Sequence, residues 1–467
     1  MSHDGELKHP LITLAIISVS YLILIVDGSI VITALPLIRE NLGFSAATLS
    51  WVQSAYALSL GGLLLLGARV GDIIGRRRGF LVGLCVFMAA SLMAGWSPNA
   101  VMLIVARVLQ GVGASLIAPS TLALLSTNFP KDPARARAVA VYGSITGIGM
   151  SLGLVLGGFV THVLSWRWAF WINVPIGLVL IVATRYYVKE SERHTEPLDV
   201  AGAVWATLSM TGIVYGLVNA SEHGWGRALT IAPLIVGVAL LGLFLRTEQR
   251  ASAPLVPLHL LANAERSGAN TARFLFVGSM AGFWFFIAQY LEVSRGLNPF
   301  GAGLAFLPMT LGSFAIAFLV PRLSRRFGTA PFLIGGLATV SIGTFWMAGV
   351  SSNGSYLWTV ALPMLVVGVG QGASTIRLTS AAIHGVSPKD AGAASGVVSA
   401  AVQIGNAFGL SLLVALTSLW VPPRASTAAS FAAAHARVAM VGGGVLCTLA
   451  LTSAVVFVWH PHRRDER

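Results

Sequence analysis

"GARVGDIIGRRRGF", residues 67–80, sets one acid and four arginines between two long apolar runs. Only 10% of the chain is charged and 55% is hydrophobic, so this cluster stands out. Gly67, Gly71 and Gly75 recur every four residues, which permits close backbone approach on one helix face. Asp72 is placed to pair with a cation at a neighbouring helix end. A purely topological anchor would account for the arginines but not for the acid or the glycine spacing.

The flanking runs decide the class. Residues 11–36 and 101–125 each exceed the roughly 20 apolar residues that cross a bilayer as a helix. The first run is too long for a cleavable leader and reads as the first span. Counting such runs gives fourteen expected spans, the first at 11–35 and the last at 436–459. With the N-terminus inside, 22 Lys and Arg fall on the inner side and 6 on the outer, with Arg107 and Arg377 within spans. That bias orients the chain with both termini cytoplasmic. The net charge of +13 is therefore topology rather than a nucleic-acid surface. Cys85 and Cys447 lie in apolar runs, and no metal, cofactor or nucleotide-binding motif is present.

The expected organisation is two six-span halves, 1–195 and 262–467, with two inserted spans in 196–261. Pro-Lys-Asp precedes a small-residue span in both halves, at 130–132 and 388–390. "PRLSRRFG" (321–328) is a worn partner of the opening stretch, with Arg325 where the first half has Asp72. Repeated bundles of this kind are a secondary-transporter architecture.

Several motifs in order resemble the major facilitator superfamily, and within it the fourteen-spanner drug:proton antiporters. The opening stretch is similar to the family's loop between spans 2 and 3. That resemblance implies a cytoplasmic gate built from Gly71, Asp72, Gly75, Arg76 and Arg77. "LIVARVLQGVGAS" (103–115) resembles the fourth-span motif, whose arginine, here Arg107, is associated with proton coupling. "GSITGIGMSLGLVLGG" (143–158) resembles the antiporter motif, with Gly149, Gly153, Gly157 and Gly158 in place. Leu154 replaces the proline that usually follows the second of these glycines, which weakens the antiporter inference. "SWRWAFWINVPIG" (165–177) and "VDGSIVITALP" (26–36) resemble signatures of the same branch.

Asp27 lies roughly 24 Å into its span at helical rise and is the carboxylate set deepest in any span. A carboxylate withdrawn from water is driven toward its neutral form, so Asp27 is a candidate proton or cation site. The alternative is an acid permanently paired with a buried arginine. Glu292, near the outer end of its span, is either a receptor for cationic cargo or a solvated group. Arg377 takes the repeat position of Pro119; it either binds an anionic group of the substrate or pairs with an acid such as Asp27 across the halves. Gln53, Tyr56 and Trp284 are the further substrate-binding candidates, drawn from a larger aromatic set that mostly serves packing.

The resemblance implies an all-α integral membrane protein of the major facilitator fold. It also implies proton-driven export of lipophilic, often cationic, drugs across the bacterial inner membrane by alternating access. No cofactor is expected besides the proton gradient, and the partners are small lipophilic substrates, protons and the bilayer. A monomer is expected. Three other readings stay open: a narrow exporter of one metabolite, which suits Arg377; a proton-linked importer; and a membrane sensor.

Overall fold

A computed structural model describes residues 9–45, 47–129, 134–190, 199–251, 254, 259–327, 329–351, 354–386, 391–421 and 427–459. Both Pro-Lys-Asp turns and the far termini lie outside them. Among the described residues there is helix and no strand. The first part of the chain contains α1 (Pro10–Ile30), α2 (Leu35–Leu42), α3 (Trp51–Ile74), α4 (Arg76–Gly95), α5 (Ala100–Asn128), α6 (Ala134–Val163), α7 (Trp168–Trp171) and α8 (Asn173–Tyr187). Then follow α9 (Val200–His223), α10 (Ala228–Arg250) and α11 (His259–Ala262). The remainder comprises α12 (Ala264–Gln289), α13 (Pro299–Ala305), α14 (Leu307–Phe327), α15 (Thr329–Met347), α16 (Leu362–Ala382), α17 (Ala391–Trp420) and α18 (Ala428–Ala454).

Twelve helical stretches among the described residues are long and apolar enough to cross a membrane. The chain is a multi-pass membrane protein. Two shorter apolar helices, Leu152–Val163 and Pro331–Met347, stand where the sequence predicts spans 5 and 11. Twelve spans are thus found among the described residues, and the expected fourteen are not confirmed.

Helix starts follow local chemistry. Asn99, Asp199, Asn263 and Asn298 each accept a hydrogen bond from the backbone N–H three residues on, opening α5, α9, α12 and α13. Thr427 and Ser430 form a reciprocal capping box on α18. The first span breaks where Pro36 removes a backbone donor: a short 3-10 turn at Ile32–Ala34 separates α1 from α2.

Packing repeats along the chain. Helix α5 lies on α3 and α4, and α16 lies on α14 and α15. The two groups meet where α6 touches α13 and where α3 touches α17. Helix α9 packs on both α3 and α17, while α10 rests on α9 and leaves most of its surface exposed. An apolar, outward-facing helix of this kind suits contact with lipid tails.

Candidate functional site

The deepest polar cluster is built on α1. Asp27 has 0% exposure and Arg107 of α5 has 1%, and Arg107 NH1 lies 2.7 Å from Asp27 Oδ2. The other carboxylate oxygen, Oδ1, accepts from Asn173 Nδ2 at 2.7 Å and from Gln110 Nε2 at 3.1 Å. Both amides also reach the hydroxyl of Ser91 on α4, at 3.3 and 2.8 Å respectively. Arg107 donates through Nε to the Val52 carbonyl of α3 at 2.8 Å, and its guanidinium lies 4.4 Å from the centre of the Tyr56 ring. Five helices thus converge on one carboxylate.

Isolated charges inside a bilayer are costly, whereas a matched pair with its remaining valences hydrogen-bonded is tolerated. Asp27 is matched in this way. Its partners among the described residues belong to the first six spans, so the cross-half pairing with Arg377 is not what forms.

The glycines of α6 bring that helix against α1 on both sides of Asp27. A Cβ on Gly149 would lie 2.9 Å from Ile25 and Leu22 side-chain atoms, one on Gly153 would strike Ser29, and one on Gly157 would fall 2.6 Å from Thr33 Oγ1. Gly158 faces Pro299 and Phe300 of α13 instead, and the Leu154 carbonyl abuts Gly303 of the same helix. The motif therefore forms two seams, one to the acid-bearing helix and one to the second half.

The charged turn between α3 and α4 is an ion-paired corner. Gly75 has φ +103°, a left-handed conformation that favours glycine. Asp72 on one side of it pairs with Arg76 on the other at 2.5 Å. The Arg77 backbone N–H donates to Glu190 Oε1 at 2.8 Å, and Arg77 NH1 donates to the Val188 carbonyl at 3.2 Å. Gly71 allows Gly79 of α4 to come close, since a Cβ on Gly79 would sit 3.2 Å from Gly71 Cα. The corner is clasped to the end of α8, with Glu190 as a partner that the sequence reading missed.

The remaining candidates scatter. Gln53 Nε2 and the Tyr56 hydroxyl are buried without a hydrogen-bond partner among the described residues. Trp284 is packed, 5.9 Å from Phe283 edge-on and 5.0 Å from Phe306, so it serves the core of the second half. Glu292 lies in a π-helical turn, Tyr290–Ser294. Among the described residues its buried Oε1 and the buried Nε of Arg377 on α16 find no hydrogen-bond partner. No group of three His, Cys, Asp or Glu gathers among the described residues. A cavity of about 420 Å³ opens between α2, α9, α12, α17 and α18, walled by Phe285, Phe286 and Phe431 with Arg39, Glu222 and His435. Ser91 and Asn173 were also missed: Asn173 sits inside the quoted "WINVP" segment, while Ser91 carries no pattern at all.

Residues 17–410 match the Major Facilitator Superfamily. The chain belongs to that family. Among the curated relatives of this Major Facilitator Superfamily chain is the cephamycin export protein CmcT of Amycolatopsis lactamdurans. It is 36% identical over 85% of this chain and 83% of that protein. The puromycin resistance protein pur8 of Streptomyces alboniger is 35% identical over 86% and 80% respectively. A crystal structure of a peptide transporter, POT, in complex with sulfate superposes with TM-score 0.68 over 99% of this chain and 96% of that one. Its 16% identity speaks for the fold alone. The Major Facilitator Superfamily chain described here is a transporter, not an enzyme, and its named relatives are antibiotic export and resistance proteins.

Proposed function

We propose that this transporter exports lipophilic, drug-like compounds from a bacterial cell, driven by protons moving inward through Asp27. The observation that carries the reading is the fully buried Asp27–Arg107 pair, cross-braced by Gln110, Asn173 and Ser91. The export relatives supply the direction of transport and the drug-like cargo. Protonation of Asp27 cancels one charge of the pair and releases Arg107. Helix α1 then moves relative to α5, and the α6 seams carry that movement to α13. The electrical part of the drive is about 2.3 kcal/mol per charge per 100 mV.

On this reading the α3–α4 corner faces the cytoplasm, as the inner-side excess of Lys and Arg requires. Both termini lie on that side. Helices α6 and α15 supply the fifth and eleventh of fourteen spans in the inner membrane. The halves 1–195 and 262–467 then rock around the cavity between them, and one chain suffices. The charge of Asp27 is already met by Arg107, so a cationic cargo would find its counter-charge elsewhere, with Glu292 as the candidate.

The test is proton flux in proteoliposomes with an imposed pH gradient and an internal pH dye. Substrate-stimulated collapse of the gradient by the wild type and none by Asp27→Asn supports the reading. Equal flux through both overturns it.

A further inference from the structure

The cavity of about 420 Å³ between α2, α9, α12, α17 and α18 has no part in the proton path proposed above. None of its lining residues belongs to the Asp27 cluster. It lies at the far end of the molecule from the charged corner. Helix α3, 24 residues long, opens just after the wall residue Ala47 and ends at that corner. The cavity's size falls within the roughly 300–1,000 Å³ of small-molecule sites.

Its walls are of two kinds. One is aromatic. The His435 ring of α18 lies 4.2 Å from that of Phe431 and 6.5 Å from that of Phe286, the second pair 24° from parallel. Phe285 meets Phe286 edge-on at 5.1 Å. The other wall carries charge of both signs. Arg39 stands in the last turn of α2 and Glu222 next to the last residue of α9. The Ser45 hydroxyl donates to Glu222 Oε1 and holds that carboxylate at the wall. Arg39 and Glu222 line one cavity yet form no ion pair, and Arg39 meets no other carboxylate among the described residues. The hydroxyls of Ser221, Thr417 and Ser418 donate to carbonyls of their own helices. Polar recognition in the cavity therefore falls chiefly to the two ions.

Opposite charges kept apart on one cavity wall narrow the ligand class. A cation alone would face Arg39, and an anion alone would face Glu222. A neutral molecule would take water from both ions and give neither a partner. A molecule with both an amine and a carboxylate meets both, and its ring can lie on the aromatic wall. We infer that this cavity binds an aromatic zwitterion. Its carboxylate lies on Arg39, its ammonium on Glu222 and its ring against Phe431, His435 and Phe286. Binding there needs neither a gradient nor turnover.

Isothermal titration of the full chain in dodecyl maltoside tests this with four forms of one scaffold. They are 2-naphthylalanine, its cationic methyl ester, its anionic N-acetyl acid and its neutral N-acetyl amide, in a buffer that keeps amine and acid ionised. The zwitterion is expected to bind about tenfold more tightly than either singly charged form, the scale of one charge-assisted contact. Arg39→Gln is expected to remove its advantage over the cation, and Glu222→Gln its advantage over the anion. Each variant keeps the other preference, so one that fails to fold leaves the other to decide. Equal wild-type affinities for the four forms overturn the inference. So does an equal loss of all four in the charge variants, which would make the two ions structural. Dihexanoylphosphatidylethanolamine carries the same two charges on its headgroup. If it displaces naphthylalanine and binds more tightly, the cavity belongs to lipid and the inference fails. A failed proton-flux assay, with these preferences intact, would sink the proposed energy coupling and leave this site standing.

Discussion

The amide of Asn173 donates to the carboxylate of Asp27 at 2.7 Å across 146 residues of chain. The same amide reaches Ser91, so one side chain ties the start of α8 to α1 and α4. Its replacement by alanine removes a buried bond to a charged group, at a cost of about 1.5–3 kcal/mol. A double-mutant cycle with Asp27→Asn, read by thermal unfolding in detergent, is expected to show non-additivity of about 0.5–3 kcal/mol. Strictly additive effects would mean that the two residues do not act together.

Arg107→Ala strands the Asp27 carboxylate in a site with 0% exposure. Loss of about 3–5 kcal/mol is expected, as for other buried pairs cut on one side. The double variant Asp27→Asn/Arg107→Gln should recover much of that stability, because no uncompensated charge remains. It should not recover substrate-driven proton flux. Recovery of flux would remove the pair from the coupling mechanism.

At the α3–α4 corner the backbone matters more than the surface charge. Gly75→Ala forces a Cβ onto φ +103° and to within 2.7 Å of the Glu190 carboxyl. About 1–2 kcal/mol is expected from the conformation alone. Glu190→Gln, which weakens a pair of side chains 32% and 24% exposed, should cost under about 1 kcal/mol. Thermal unfolding of both variants checks the order, and the reverse ranking would contradict it.

Along the α6 seam, Gly153→Val drives a branched side chain into Ser29, two residues from Asp27. Overpacking of this kind costs about 1–3 kcal/mol, and substrate-driven proton flux should fall with it. Gly242→Ala is the control, since nothing lies within 4 Å of a Cβ there. Equal transport by both variants would show that close α1–α6 contact is dispensable.

The membrane class, the charged corner and the paired acid were legible in the sequence for physical reasons. Long apolar runs, glycines every fourth residue and lone charges inside spans are local patterns that helical geometry makes readable. Asp27 and Arg107 could be singled out because each is costly where it sits. Their mutual choice could not, since Arg377 offered the same charge from the other half. Ser91 and Asn173 escaped notice because neutral polar groups cost too little to be conspicuous, and their value comes from convergence of distant helices. Trp284, singled out by residue type, packs against Phe283 and Phe306.

Helix α9 touches α3 of one half and α17 of the other, with Gly62 of α3 set directly against Thr207. On the proposed rocking of the halves, a strut fastened to both must let go of one seam or slide along it. Bulk added at Gly62, where a Cβ would strike Thr207, would then obstruct the sliding and slow the cycle without altering the cargo.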